Sequence, residues 1–348
     1  MTACVVLGTA LLGRAIGAGG VPLDDGPPPS GRRGAVVAAV PAPRERVAVS
    51  APFSTGIRAL DGPLAFGRGG RIGIFGAPGA GKSTLLEQLV AGSRADATVV
   101  ALIGERGREA ERWLRQIGSR TSIICATSDR PAAERLAAAD LAFAQAAALR
   151  SRGLHVLLVV DSLARVAAAA RDVAIAAGEP VGRAGFPPSV VARQARLLEC
   201  AGALTAGSIT LVATVLSEGP LEHDPVAEAA RAALDGHVVL SPRLAAAGWF
   251  PAIDLPASAS RTLADVASPV HRRAAGRLRA AVAALENARD ARSLGLDPAA
   301  GDPLLARAIN AEGRIAAFLR QAEGGADPAE TLMDLTRIAD SLDDGYLQ

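Results

Sequence analysis

A glycine-rich loop carries the residues of this sequence that are best suited to chemistry. Residues 76–83 read GAPGAGKS and fit the pattern G-x-x-x-x-G-K-[ST] at every fixed position. Glycine lets the backbone of such a loop wrap around phosphate groups, so that successive N–H groups point at the phosphate oxygens. We predict that the loop binds a nucleotide. The residues predicted to contact the nucleotide are Gly76, Ala77, Pro78, Gly79, Ala80, Gly81, Lys82, Ser83 and Thr84.

Lys82 is the only lysine among the 37 basic residues of the chain. At its position in the loop, a compact ammonium group would lie between the β- and γ-phosphates of ATP. Arginine presents a broad planar guanidinium, which cannot act as such a point charge. We therefore predict that Lys82 is catalytic and that arginine cannot replace it. The alternative is a glycine-rich turn that fits the pattern by chance, for which the odds in a chain of this length are about one per cent.

An acidic residue ends one of the apolar runs downstream of the loop. The run HVLLVVDS places Asp161 at the end of a predicted buried strand and Ser162 at the start of the next helix. A P-loop enzyme needs a carboxylate of this kind for Mg²⁺, with a hydroxyl such as that of Ser83 as the second protein group. The alternative is that Asp161 and Ser162 only cap the helix, a position that both residue types favour. We predict a magnesium site formed by Ser83 and Asp161.

A second acidic residue follows another predicted strand. The stretch VVALIGERGRE presents Glu105 just beyond the strand, at the edge where parallel sheets bind ligands. Glu105 could polarise the water that attacks the γ-phosphate, and Arg106 beside it could contact the γ-phosphate or the product. The alternative is a surface Glu–Arg pair in a turn. We predict catalytic roles for both residues.

Short apolar runs alternate with alanine-rich helical stretches from about Ser54 onwards. The runs RIGIFG, TVVALIG, SIICAT, HVLLVVD and SITLVATVL have the lengths and spacing of a mainly parallel sheet that is buried on both faces. We predict an α/β fold, with a P-loop NTPase core in which helices flank the sheet and with a small helical C-terminal domain. The predicted parts are 1–50 (N-terminal region and linker), 51–262 (P-loop core) and 263–348 (helical domain).

The composition excludes several classes of protein. Half of the 348 residues are apolar, which is enough to form a large buried core. The net charge of +2 gives no strong attraction to nucleic acid. Cys4, Cys125 and Cys200 lack metal-ligand spacing, and free thiols in a reducing compartment fit them best. We interpret the N-terminal run ACVVLGTALL as a buried strand, because no basic residue precedes it as in a secretory signal.

Several further motifs add a family resemblance that covers nearly the whole chain from about residue 10. The motifs are GERGRE, DSLAR, AAGEPVGRAGFPPSV and DGHVVLS, together with the P-loop. With these motifs the sequence resembles the ATPases of type III secretion systems and of flagellar export. Those enzymes are relatives of the catalytic β subunit of rotary ATP synthases and have a RecA-like core. The resemblance therefore implies an ATPase that uses ATP and Mg²⁺ to unfold cargo and release it from chaperones during export.

The resemblance also implies roles for individual residues. Glu105 matches the family's catalytic glutamate, and Asp161 matches its metal-side aspartate. Phe250 in WFPAID matches a position that usually holds a tyrosine stacked on adenine, although its sequence context alone would indicate a core residue. Arg261 in SASR matches an arginine that reaches the nucleotide of the neighbouring subunit.

The implied partners are those of an export machine. The family forms homohexamers that contact a central stalk, regulatory stator proteins and cargo–chaperone complexes, peripheral to the cytoplasmic face of the bacterial inner membrane. The family usually begins with a small β-barrel domain, of which residues 1–50 would represent only the end. We expect the helical domain to meet cargo, and we expect its deletion to leave nucleotide binding intact.

Three other functions compete with this interpretation. A hexameric RNA translocase of the same superfamily would need a basic groove and aromatic stacking platforms, but aromatic residues make up only 3% of the chain. A rotary ATP synthase subunit is disfavoured by GERGRE and by the short helical tail. A truncated scaffold that binds nucleotide without turnover is the third alternative.

Overall fold

The computed structural model describes residues 4–37, 39–216, 224–299 and 301–343. The strands in chain order are β1 (Cys4–Val6), β2 (Ala15–Ile16), β3 (Arg33–Ala35), β4 (Arg71–Gly76), β5 (Ala97–Ile103), β6 (Thr121–Ala126), β7 (His155–Asp161), β8 (Gly202–Leu204), β9 (Gly207–Leu216), β10 (Gly236–Leu240) and β11 (Ile253–Ser260). The helices are α1 (Arg58–Asp61), α2 (Lys82–Gly92), α3 (Gly107–Arg115), α4 (Ala132–Arg150), α5 (Leu163–Ala176), α6 (Pro188–Glu199), α7 (Pro225–Ala233), α8 (Pro242–Ala246), α9 (Leu263–Val266), α10 (Pro269–Ser293), α11 (Pro303–Leu319) and α12 (Pro328–Asp340).

The chain divides into two units, the first of which contains Met1–Val49, Arg68–Pro78 and Ala95–Asp235. Its sheet is built on parallel strands in the order β4-β9-β7-β5-β6-β2, with β8 antiparallel to β9. All seven residues of β5 and all seven of β7 are buried. Because successive side chains of a strand point to opposite faces, both faces of the sheet are covered. The prediction of a mainly parallel, doubly covered sheet is therefore confirmed.

The register of this sheet brings the ends of three chemically important strands to one edge. Gly76, the last residue of β4, pairs with Leu216 of β9, and Leu102 near the end of β5 pairs with Asp161 at the end of β7. Because these strands are parallel, their carboxyl ends meet at the same edge, which is where sheets of this kind bind ligands. The first residues of the phosphate loop and both predicted acidic residues therefore share one edge of the first unit.

The second unit contains Ser50–Gly67, Gly79–Arg94 and Gly236–Gln348. It holds α2, the antiparallel pair of β10 and β11, and the helices from α8 onwards. Helix α10 packs against both α11 and α12 through buried residues such as Leu278 and Leu335. In the described residues after Ser260, every regular element is helical. This finding confirms the predicted helical C-terminal region, while the exact domain boundaries stay predictions.

The N-terminal region has more structure than the sequence indicated. Strand β1 lies in the predicted N-terminal run, where Val5 is buried and Cys4 is exposed. Its antiparallel partner β3 falls within residues 1–50, for which the sequence predicted a linker but no second strand. No helix in the described part of the chain combines the length and the apolar character needed to cross a membrane.

Candidate functional site

The phosphate loop joins the end of β4 to the first residue of α2, which is Lys82. Gly79 and Gly81 have φ angles of +79° and +90°, in the left-handed region that strains residues with side chains. A Cβ atom at Gly79 would have no neighbour within 4 Å, so the backbone conformation alone requires glycine there. A loop that ends at a helix N-terminus directs backbone N–H groups and a partial positive charge towards a bound anion.

The side chains of the loop differ in how far they are accessible. Lys82 and Ser83 are half-buried at the start of α2, Thr84 is exposed, and Ala80 is buried. The hydroxyl of Ser83 and the carboxylate of Asp161 are the kinds of oxygen donor that Mg²⁺ prefers. The donor chemistry of these two residues therefore fits the metal that the P-loop implies.

Two buried carboxyl groups lie at the ligand edge of the first unit. Glu105 is 7% exposed and Asp161 is 6% exposed. The Thr214 hydroxyl, on the neighbouring strand β9, donates a hydrogen bond of 2.5 Å to Oδ1 of Asp161. Nε of Arg165 lies 3.8 Å from Oε1 of Glu105. Each acidic residue thus has a polar neighbour from another element, Thr214 on β9 for Asp161 and Arg165 on α5 for Glu105.

The pKa of Glu105 is raised from 4.5 to about 7, and burial of the carboxyl group is the largest cause of this net shift. The negative charge of Asp161 raises this pKa further, the positive charge of Arg165 lowers it, and Glu109 adds a smaller increase. A carboxyl group that titrates near neutral pH can hold and release a proton under physiological conditions, which suits a general base. The sequence alone predicted the position of Glu105 but not this change in its acidity.

Arg165 is a site residue for which sequence reasoning assigned no role. It lies in the first turn of α5, where the hydroxyl of Ser162 caps the helix by accepting a hydrogen bond from the Arg165 N–H at 3.3 Å. A Cβ atom at Gly104, just before Glu105, would lie 3.0 Å from Cβ of Arg165. This close approach brings the two elements together. The spacing of DSLAR was the available signal, because it puts an arginine one helical turn after the predicted metal-side aspartate.

Arg106 and Arg261 are both exposed. The backbone of Arg106 forms the N-cap of α3, and Arg261 follows the last residue of β11. Neither side chain makes an ion pair with a residue that the structure describes. Both guanidinium groups are thus available for a ligand or another subunit.

Phe250 lies against the phosphate loop within the second unit. A Cβ atom at Gly81 would be 3.2 Å from Cε1 of the Phe250 ring, so a side chain there would press on the ring. The Phe250 side chain is nevertheless 38% exposed. A half-exposed aromatic ring beside a phosphate-binding loop can stack on a planar base.

Comparison with known families assigns most of the chain. Residues 56–260 match the model of the ATP synthase alpha/beta family, nucleotide-binding domain. Residues 267–337 match the model of the T3SS EscN ATPase C-terminal domain. The two matches meet near the end of β11, where the helical region begins.

Individual proteins support the same assignment. A type 3 secretion system ATPase from Sinorhizobium fredii is 46% identical over 348 residues, covering 96% of this chain and 76% of the relative. The flagellum-specific ATP synthase of Salmonella typhimurium is 42% identical over 323 residues, covering 90% of this chain and 71% of the relative.

Solved structures give the same result for the fold. A prototypical ATPase from the type III secretion system of pathogenic bacteria has a TM-score of 0.91 and 40% identity, over 97% of this chain and 100% of that one. The assembled ATPase EscN of enteropathogenic E. coli, in complex with its central stalk EscO, has a TM-score of 0.90 and 40% identity, over 97% and 83%.

Proposed function

Because the chain belongs to the ATP synthase alpha/beta family, in its group of type III secretion and flagellar export ATPases, we propose that it hydrolyses ATP to energise protein export. The observation that carries the proposal is the buried carboxyl group of Glu105, with a pKa of about 7, at the sheet edge where β4 enters the phosphate loop. A phosphate loop with a base of this acidity fits hydrolysis better than nucleotide binding alone.

Each proposed site residue has a distinct task. The backbone of the loop and the ammonium group of Lys82 bind the phosphates, and the ring of Phe250 stacks on the adenine. Ser83 and Asp161 would hold the magnesium ion, which would offset negative charge on the nucleotide when bound. Glu105 accepts a proton from the attacking water. Lys82 and Arg106 stabilise the charge that develops on the γ-phosphate.

Arg165 and Thr214 would support these residues rather than react. The positive charge of Arg165, 3.8 Å from the Glu105 carboxyl, keeps that carboxyl ionised to a lower pH than burial alone would allow. The hydroxyl of Thr214 fixes one oxygen of Asp161 by a 2.5 Å hydrogen bond. A fixed carboxylate can hold a metal ion in one geometry.

The active form that we propose is a homohexamer, in which Arg261 of one subunit reaches the nucleotide of the next. The EscN relative is described as assembled and in complex with its central stalk EscO. By analogy, this chain would contact a central stalk, regulatory stator proteins and cargo–chaperone complexes. It would act at the cytoplasmic face of the bacterial inner membrane as a peripheral protein.

Phosphate release from ATP and Mg²⁺, measured over a range of protein concentrations beside the native mass, tests the proposal. We expect hydrolysis that requires Lys82 and that does not respond to added RNA. Absence of hydrolysis in an assembled protein would favour a nucleotide-binding scaffold. Salt-sensitive stimulation by RNA would favour a translocase.

A further inference from the structure

The segment 320–327, which joins α11 to α12, is attached to the helix that follows the phosphate loop. The side-chain amide of Gln88, on α2, donates hydrogen bonds to the carbonyl groups of Gln321 at 3.1 Å and Ala322 at 2.7 Å. A Cβ atom at Gly324 would lie 2.2 Å from the carbonyl oxygen of Gln88, so the two backbones are in direct contact. The segment therefore cannot shift without displacing α2 or breaking these contacts.

The same segment also holds the turn that carries Phe250. The backbone N–H of Gln321 donates a 3.0 Å hydrogen bond to the carbonyl of Phe250. One residue earlier in each segment, the guanidinium carbon of Arg320 lies 4.4 Å from the ring centroid of Trp249, in a cation–π contact. Two adjacent residues of the segment, Arg320 and Gln321, thus contact two adjacent residues of the turn, Trp249 and Phe250.

Side-chain contacts of Gln321 fix the segment itself. Its Oε1 accepts a hydrogen bond from the backbone N–H of Arg58 at 2.9 Å, and its Nε2 donates to the carbonyl groups of Gly56 at 2.8 Å and Glu323 at 2.6 Å. The guanidinium of Arg58 donates in turn to the carbonyl of Arg320 at 2.5 Å. Both N–H donors and the oxygen of the Gln321 side-chain amide are therefore bonded to backbone groups.

We propose that Arg320 and Gln321 are positioning residues that set the adenine slot of the nucleotide site. The segment is joined to α2 through Gln88 and to the turn through Phe250, so it fixes where the Phe250 ring lies relative to Gly81, at the start of α2. The side chain of Phe250 is 38% exposed, so the surrounding protein covers only part of it. Its position depends on the turn, and the turn is held by Arg320 and Gln321.

This role has a consequence for ligand specificity, which rests on the proposed stacking of adenine on Phe250. Adenine binds through its π face, whereas the phosphates bind through the loop, whose shape depends on its own glycines. Loosening the turn should therefore weaken the binding of adenine nucleotides but not the binding of a ligand that consists of phosphates only. Inorganic tripolyphosphate is such a ligand.

The test is to titrate ADP and inorganic tripolyphosphate, each with Mg²⁺, into the full chain that carries Arg320→Ala and Gln321→Ala. We expect the Kd for ADP to rise about 10-fold, within the range that stacking on one aromatic ring contributes. The Kd for tripolyphosphate should stay within about twofold, because the phosphate loop is unchanged. Arg320→Lys should keep most of the ADP affinity, since an ammonium group retains the charge over the Trp249 ring.

Arg314→Ala is the matched control, because Arg314 lies on α11, is exposed and has no ion pair among the described residues. It should change neither Kd. The triple variant, which adds Phe250→Ala to the double variant, should have the same Kd for ADP as Phe250→Ala alone. The effects of substitutions on Kd are not additive when the residues act through one contact.

Two results would overturn the inference. If the Kd values for ADP and for tripolyphosphate rise equally, the segment acts on the phosphate loop or on folding. If the Kd for ADP is unchanged, the segment does not position the Phe250 ring. The proposed function would fail in a different way, namely by the unmodified chain binding neither ADP nor tripolyphosphate.

Discussion

Nε of Arg165 lies 3.8 Å from Oε1 of Glu105, and this contact joins the first turn of α5 to the end of β5. Burial and the nearby charge of Asp161 raise the pKa of Glu105 to about 7, and Arg165 acts in the opposite direction. The acidity of the proposed base is thus a balance between two effects that raise its pKa, desolvation and the charge of Asp161, and the charge of Arg165, which lowers it.

Hydrolysis should therefore depend on pH through Glu105. A general base works as the carboxylate, so kcat/KM should rise as the pH increases through about 7. Arg165→Ala removes the stabilising positive charge and should move this rise to higher pH. Arg115→Ala is the control, because Arg115 is exposed on α3 and its one ion pair among the described residues is with Glu111. A pH–rate profile that is the same in Arg165→Ala as in the unmodified chain would contradict the balance.

Glu105→Gln should keep ATP binding and reduce turnover about 100-fold or more, the scale of losing a general base. The same variant should also change how the stability of the folded protein depends on pH. Because the folded-state pKa of about 7 exceeds the usual 4.5, the native state binds the proton more tightly, and stability falls as the pH rises between these values. Thermal unfolding of the Gln variant should lack this decline. Normal turnover by Glu105→Gln would mean that the base lies elsewhere.

Replacement of Lys82 tests the role of the single lysine. Both Lys82→Ala and Lys82→Arg should abolish phosphate release, because a guanidinium cannot act as a point charge between two phosphates. The reverse exchange at an exposed position, Arg115→Lys, should leave the rate unchanged. Wild-type turnover by Lys82→Arg would refute this account of the loop.

The sequence predicted the loop and the ends of the strands, because both depend on local patterns. The run HVLLVVD matches β7 residue for residue, and α2 begins at Lys82. It could not predict that Thr214 would lie beside Asp161, because alternating strands and helices do not reveal that β9 is the neighbour of β7. The same limit applies to Arg165 and Glu105, which are far apart in the chain.

The contacts of the helical region alter one expectation from the sequence. Periodicity indicated a separate module whose deletion would leave nucleotide binding intact. In the structure, Gln88 of α2 donates to the carbonyl groups of Gln321 and Ala322, and Arg94 pairs with Asp327 at 2.8 Å. Deletion from Leu263 would remove these partners and leave the buried amide of Gln88 without them. We now expect that deletion to weaken nucleotide binding.

Arg261 provides the test of whether the enzyme works as a ring. A loose transition state for phosphoryl transfer builds charge on the γ-phosphate, and an arginine supplied to it contributes about 10³–10⁵ in rate. Arg261 is exposed and follows the end of β11, which leaves its guanidinium accessible for the contact that we propose with a neighbouring subunit. Hydrolysis per chain should therefore rise with protein concentration as subunits assemble, while nucleotide affinity changes less.

A mixture of two inactive chains makes this test decisive. Arg261→Ala keeps an intact nucleotide site and Lys82→Ala keeps an intact arginine, so the mixture should regain activity at interfaces where the second chain serves the first. A mixture of Lys82→Ala with Glu105→Gln should stay inactive, because both changes damage the site that binds and hydrolyses ATP. The measurement belongs at concentrations where the unmodified protein is assembled and active. An inactive first mixture under those conditions would mean that Arg261 serves the nucleotide of its own subunit.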